Sequence, residues 1–166
     1  MATFSRHAVV DWNGDVIRGT GMVTAGTAAF TVPVSWPVVR GEAPGLTTPE
    51  ELLAASHATC YAIALRSVIG QRGGKAQRVR VTATITAEKE QGIRILSSHL
   101  NGVVEGLVGI EPMKLQEIAK DAEDRCTISN AIRNSVSISI EVSVVTHLED
   151  RLDASTASES TEKKDV

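Results

Sequence analysis

Aromatic residues are scarce in this chain of 166 residues: two Phe, two Trp and one Tyr. A core must therefore be built mainly from Val, Ile, Leu and Ala. Cysteine is nearly absent as well. Cys60 and Cys126 are too few for a disulfide-stapled scaffold, and no CxxC motif links them. Positive charge is not in excess: 17 Lys and Arg against 20 Asp and Glu leave a net charge of −3. That balance excludes the basic stripe expected of a nucleic-acid surface. No uninterrupted run of eighteen apolar residues occurs, so no membrane span is expected. The opening "MATFSRHAVVDW" lacks the continuous apolar stretch of a secretory signal, and a cytoplasmic location is the expectation. Four histidines are scattered along the chain. His57-x-x-Cys60 is the one spacing that suggests a metal, and two donors do not close a site.

What is present reads as one globular domain. Its apolar fraction is 42%, enough for a real core at this length. The domain is expected over residues 1–147. From 148 to 166 the chain becomes acidic, rich in Ser and Thr and poor in apolar residues, the composition of a disordered tail.

Residues 6–12 and 16–24 flank "NGD", a hairpin signal. An extended segment follows over 28–40, and Pro33 and Pro37 push it to a sheet edge or a loop. Thr48, Pro49 and Glu51 form a T-x-x-E capping box that opens a helix running to about Gly70. Between Leu52 and Ile69 only His57 and Arg66 are strongly polar. Such a helix is buried on nearly all sides, either by layers of its own chain or by a partner subunit. Residues 78–88 alternate cleanly as a strand with one wet face, and 93–105 read as its antiparallel neighbour. A second, amphipathic helix is predicted over 111–125 with Pro112 at its start. A short turn or helix follows at 126–133 and a last strand at 135–145. The class is α+β with a mainly antiparallel sheet.

Two readings of the cysteines compete. Free cysteine is a buried residue type that packs as a small hydrophobe. Against this, Cys126 sits where a helix breaks, and a thiol near a helix N-terminus has its thiolate stabilised by unpaired backbone amides. If Cys60 faces Cys126, the two are an attacking and a resolving thiol. A peroxide would convert the first to a sulfenic acid, which the second condenses to a disulfide.

"TPEELLAASHATCYAIAL" (48–65) and "CTISNAI" (126–132) resemble the two cysteine motifs of the OsmC/Ohr family of thiol-dependent hydroperoxide reductases. "WNGDVIRGTGMVT" (12–24) and "RGE" (40–42) are similar to the OsmC branch, and the likeness covers about residues 7–145. The resemblance implies a sheet wrapped around two central helices in an intertwined homodimer, with sites at the interface. It implies a peroxidase that reduces organic hydroperoxides and is recycled by a dithiol such as a dihydrolipoyl group, with no metal, flavin or haem. Cys60 matches the peroxidatic cysteine and Cys126 the resolving one. Glu50 matches the glutamate that orients a catalytic arginine. Arg40 matches that arginine in the OsmC branch, with Arg18 as the fallback. Two positions depart from the pattern: Thr127 stands where the family has Pro, and Arg125 where it has Gly.

Ten helical residues rise roughly 15 Å, so Glu50 cannot touch Cys60 within one straight helix. A long arginine, a bend or a dimer contact must close that gap. His57 neighbours Cys60 on the helix surface at i−3, and a structural role in support of the site is favoured over that of a general base. An aliphatic substrate pocket is expected from parts of Trp36, Leu52, Leu53 and Tyr61. The competing reading is a non-catalytic OsmC-like binding or redox-sensing module that keeps its thiols as packing or as a sensor. A Cys-His acyl transferase would need an oxyanion hole, for which the sequence carries no motif.

Overall fold

The computed structural model describes residues 3–36, 45–90 and 92–145. Arg40, Pro37 and the 148–166 segment lie outside the described residues. The chain divides into two compact units, Met1–Leu53 and Ala54–Val166, and the α+β class holds, with antiparallel pairs in one unit and a mixed sheet in the other.

The first unit carries three antiparallel strands in the order β1-β2-β3: β1 Ala8–Asn13, β2 Thr20–Ala25 and β3 Thr31–Val34. The hairpin predicted around "NGD" forms, but its second strand starts at Thr20 rather than Val16. Asp15 is the reason. Its Oδ1 accepts the amides of Ile17 and Arg18, each at 2.8 Å, and its carbonyl accepts that of Gly19 at 2.7 Å. Amides held by an Asx turn are not free to join a ladder. Gly19 and Gly21 leave room for the Trp12 indole, which a Cβ at either position would strike. Pro33 lies in β3, the edge strand, opposite Met22. There its missing N–H costs nothing, and its carbonyl accepts the Thr47 amide at 2.9 Å.

Helix α1, Pro49–Gln71, begins as the capping box predicts. The Glu51 amide donates to Thr48 Oγ1 at 3.2 Å. The Glu51 carboxylate accepts from the Thr47 hydroxyl at 2.9 Å. The helix is long and apolar enough to cross a membrane by length and composition. Its packing is that of a core helix instead: His57, Tyr61, Ala64, Leu65 and Val68 form one buried stripe at helical spacing. Among the described residues, α1 is not buried on nearly all sides. Ile63, on the other side of α1, keeps 66% of its surface exposed.

The second unit holds β4 Arg78–Lys89, β5 Ile93–Glu105 and β6 Ser137–Val145, in the order β4-β5-β6. β4 and β5 pair antiparallel, as their alternation predicts. β5 and β6 pair parallel, which needs a long crossover. That crossover is a 3₁₀ turn at Pro112–Lys114, helix α2 Leu115–Arg125 and helix α3 Thr127–Ile132. Tyr61, Leu65, Val68 and Ile69 of α1 meet Leu100 and Val104 of β5, Val142 of β6, and Leu115, Ile118, Ala119 and Ala122 of α2. Apart from Tyr61 this core is aliphatic, as the shortage of aromatics requires.

Candidate active site

Cys60 lies on α1 and Cys126 at the junction of α2 and α3. Both are free thiols, Cys60 partly buried and Cys126 with no exposed surface. Each thiol acts on the titration of the other, so the crossover makes neighbours of two sulfurs that lie 66 positions apart in the sequence. Cys126 caps α3: its extended backbone (φ −71°, ψ 115°) breaks the helix, and its Sγ accepts the Ser129 amide at 3.4 Å.

The two sulfurs differ in their neighbours. Burial pushes the Cys60 thiol up, but hydrogen bonds outweigh it: the Thr127 hydroxyl, the Ile128 amide, the Cys126 thiol and the Thr127 amide all favour the thiolate. Its pKa is lowered from the ordinary 9.0. Burial also pushes Cys126 up, and there it prevails. The Ser129 hydroxyl and amide favour the thiolate, while the contact with Cys60 opposes it. Cys60 is therefore the sulfur that ionises first, and the thiolate, not the thiol, is the nucleophile. Cys126 remains the proton-bearing partner.

Behind Cys126 lies a buried polar chain. His57 has no exposed surface. Its Nδ1 is 2.8 Å from Ser98 Oγ and its Nε2 2.9 Å from Ser129 Oγ. Burial holds the imidazole below the usual histidine range, although Glu123 opposes this. A neutral ring spanning two hydroxyls satisfies three buried polar groups at once. Both ring nitrogens are engaged by serines, not by Cys60. Glu123, itself buried, bonds Arg133 at 2.7 Å and Lys120 at 2.9 Å.

Of the remaining candidate residues, Tyr61 shares the unit of the two cysteines, whereas Arg18, Trp36, Glu50, Leu52 and Leu53 belong to the other. Tyr61, expected to line a substrate pocket, has no exposed surface and donates its hydroxyl to the Ala119 carbonyl at 3.1 Å. Trp36, Leu52 and Leu53 are half-buried. Arg18 is exposed on the β1–β2 loop. Glu50 is half-buried, and its Oε2 is buried with no hydrogen-bond partner among the described residues. A buried carboxylate oxygen left unmatched calls for a donor. Arg125 does not aim at Cys126; its guanidinium is bonded to Gln71 Oε1. Among the described residues no group of three or more His, Cys, Asp or Glu could hold a metal ion.

Sequence reasoning missed Ser98 and Ser129 as partners of His57, and Thr127 as a partner of Cys60. Ser129 carried a usable signal: it lies three residues after a helix-capping position, where its amide returns to the cap. Ser98 carried none.

Residues 41–141 match the family model described as OsmC-like protein. The chain is 26% identical over 141 residues to Peroxiredoxin OsmC of Escherichia coli (strain K12), covering 84% of this chain and 98% of that protein. It is 26% identical over 124 residues to the organic hydroperoxide resistance protein of Xanthomonas axonopodis pv. citri (strain 306), covering 72% and 84%. The fold superposes with a TM-score of 0.71 on an organic hydroperoxide resistance protein from Elizabethkingia anophelis solved with thiocyanate bound. The identity there is 23%, with 87% of this chain and 99% of that one covered.

Proposed function

The chain belongs to the OsmC-like family, and from that premise we propose that it is a thiol peroxidase that reduces organic hydroperoxides to alcohols. One observation carries the reading: two neighbouring free thiols that act on each other, with Cys60 biased toward the thiolate and Cys126 toward the thiol. The names of the relatives, a peroxiredoxin and organic hydroperoxide resistance proteins, support the substrate class.

The cycle balances on these groups. The Cys60 thiolate attacks the terminal oxygen of ROOH, which forms an S–O bond and breaks the O–O bond. Cys60 becomes a sulfenic acid, and the departing alkoxide is protonated to ROH. Cys126 then condenses with the sulfenic acid, closing the Cys60–Cys126 disulfide and releasing water. A dithiol, of which a dihydrolipoyl group is the proposed example, reopens the disulfide by exchange and leaves oxidised. A reducing cytoplasm suits a disulfide that must cycle.

Glu50 is assigned to orient the arginine that steadies the alkoxide. Its buried Oε2, which has no hydrogen-bond partner among the described residues, supports a demand for a cation, with Arg40 as first choice and Arg18 as alternative. His57 is assigned a positioning role through Ser129. A homodimer is part of the reading: only 28% of an apolar eighteen-residue stretch of α1 is buried among the described residues, and Ile63 stands exposed.

The test is consumption of cumene hydroperoxide with dihydrolipoamide as reductant, for wild type and Cys60→Ser in parallel. Turnover in wild type that disappears in the variant is expected. Absence of turnover in wild type with any dithiol would leave the thiols to packing or sensing.

A further inference from the structure

Thr127 is exposed at the first position of α3, and its Oγ1 lies 3.3 Å from Cys60 Sγ. The other groups on that sulfur are the amides of Thr127 and Ile128 and the Cys126 thiol. Backbone amides are fixed in place whatever side chain occupies position 127. The Cys126 thiol is consumed when the disulfide closes. Among the described residues on that sulfur, the Thr127 hydroxyl alone is a rotatable donor that survives the whole cycle. A neutral Cys60 thiol can donate to that hydroxyl or accept from it, but a thiolate can only accept. Ionisation of Cys60 therefore fixes Thr127 as the donor. An alkoxide oxygen one bond beyond the attacked oxygen remains within reach of a hydroxyl that already flanks the sulfur.

We propose that Thr127 is a catalytic residue whose hydroxyl holds Cys60 as thiolate and then passes its hydrogen to the departing alkoxide. The assignment rests on the peroxidase reading. Cys60–S⁻ attacks the terminal oxygen of ROOH. The S–O bond forms, the O–O bond breaks, sulfur is oxidised to Cys60–S–OH, and the peroxide is reduced to RO⁻. RO⁻ takes the Thr127 hydroxyl proton and leaves as ROH. The exposed threonine recovers a proton from water. Counting the proton that Cys60 lost on ionising, the sum is Cys60–SH + ROOH → Cys60–SOH + ROH.

Thr127→Val removes the hydroxyl at nearly constant shape, and Thr127→Ser restores it. Two quantities are read on reduced protein. One is the pH midpoint of Cys60 alkylation by iodoacetamide, followed by mass on the Cys60 peptide. The other is the single-turnover rate with cumene hydroperoxide at a pH where Cys60 is fully ionised. Thr127→Val is expected to raise the midpoint by about one pH unit, the effect of losing one hydrogen bond to a charged group. It is expected to slow the fully ionised rate by about tenfold, and Thr127→Ser to recover both. An unmoved midpoint overturns the proposal whether or not peroxide is consumed. A moved midpoint with an unchanged fully ionised rate overturns the proton transfer. Wild-type Cys60 that ionises normally but is inert to peroxide overturns the peroxidase reading and the proton transfer with it, and the alkylation arm still decides the hold on the thiolate.

Discussion

Cys60 and Cys126 are neighbours that act on each other's titration, yet their surroundings have opposite chemistry. Around Cys60 three polar hydrogens from the start of α3 converge on a partly exposed sulfur. Around Cys126 the sulfur is fully buried beside a serine whose hydroxyl is also bound to His57. Burial acts on both thiols in the same direction. The difference comes from how many donors each sulfur collects, because a hydrogen bond to the charged form favours it. A short six-residue helix, α3, thus separates the roles of two chemically identical side chains. Its first amides face one sulfur while its cap is the other.

The largest expected effect breaks the pair itself. Cys60→Ser should lower peroxide turnover by about three orders of magnitude or more, the scale of losing a nucleophile. Cys126→Ser should behave differently. It should consume one equivalent of peroxide and then stop, with the protein gaining one oxygen by intact mass. Equal loss of the first turnover in both variants would contradict the division of roles.

The next effect is on stability. His57→Ala orphans the hydroxyls of Ser98 and Ser129 and leaves a cavity. The expected cost is about 2–4 kcal/mol, read as a lower urea midpoint. Ser98→Ala removes only one bond and should cost about 1 kcal/mol.

The pH dependence follows from the same ring. The folded His57 pKa lies below the ordinary 6.5, so the unfolded chain binds the proton more readily. The stability contributed by the neutral imidazole is present above pH 6.5 and falls as the pH drops below it toward the folded value. Urea unfolding of wild type at pH 7 and pH 5 should show a decline that His57→Gln reduces. An identical decline in both proteins would assign the pH effect to other groups.

How much of this was legible in the sequence depends on the range of the forces involved. β4 and β5 were readable because alternation marks a strand within its own residues: 78–88 and 93–105 became Arg78–Lys89 and Ile93–Glu105. The start of α1 was readable because Thr48 and Glu51 sit within one turn. The parallel pairing of β6 with β5 was not, since strand direction is set by the path of α2 and α3 rather than by any strand residue. The β1–β2 loop misled because "NGD" favours a tight turn, and only the asparagine-like bonding of Asp15 lengthens it. At the site, the two cysteines were paired through resemblance to a family motif. Their polar neighbours come from elsewhere: Ser98 reaches His57 from 41 residues away in sequence, on a strand with no signature. A buried hydrogen-bond partner of that kind leaves no local pattern to read.

The smallest expected effect sharpens the comparison most finely. The Ser129 hydroxyl favours the Cys126 thiolate and bridges to His57, whereas the groups that lower Cys60 come from Thr127, Ile128 and Cys126. Ser129→Ala keeps the capping amide and removes only the hydroxyl. The Cys126 thiol should then ionise less readily, and condensation with the Cys60 sulfenic acid should slow by about a few-fold. The first step, formation of the sulfenic acid, should be unchanged. Rapid-quench intact mass separates the two, because oxygen gain reports the first step and its loss with disulfide closure reports the second. Slowing of both steps together would mean that Ser129 holds the whole junction in place rather than serving Cys126.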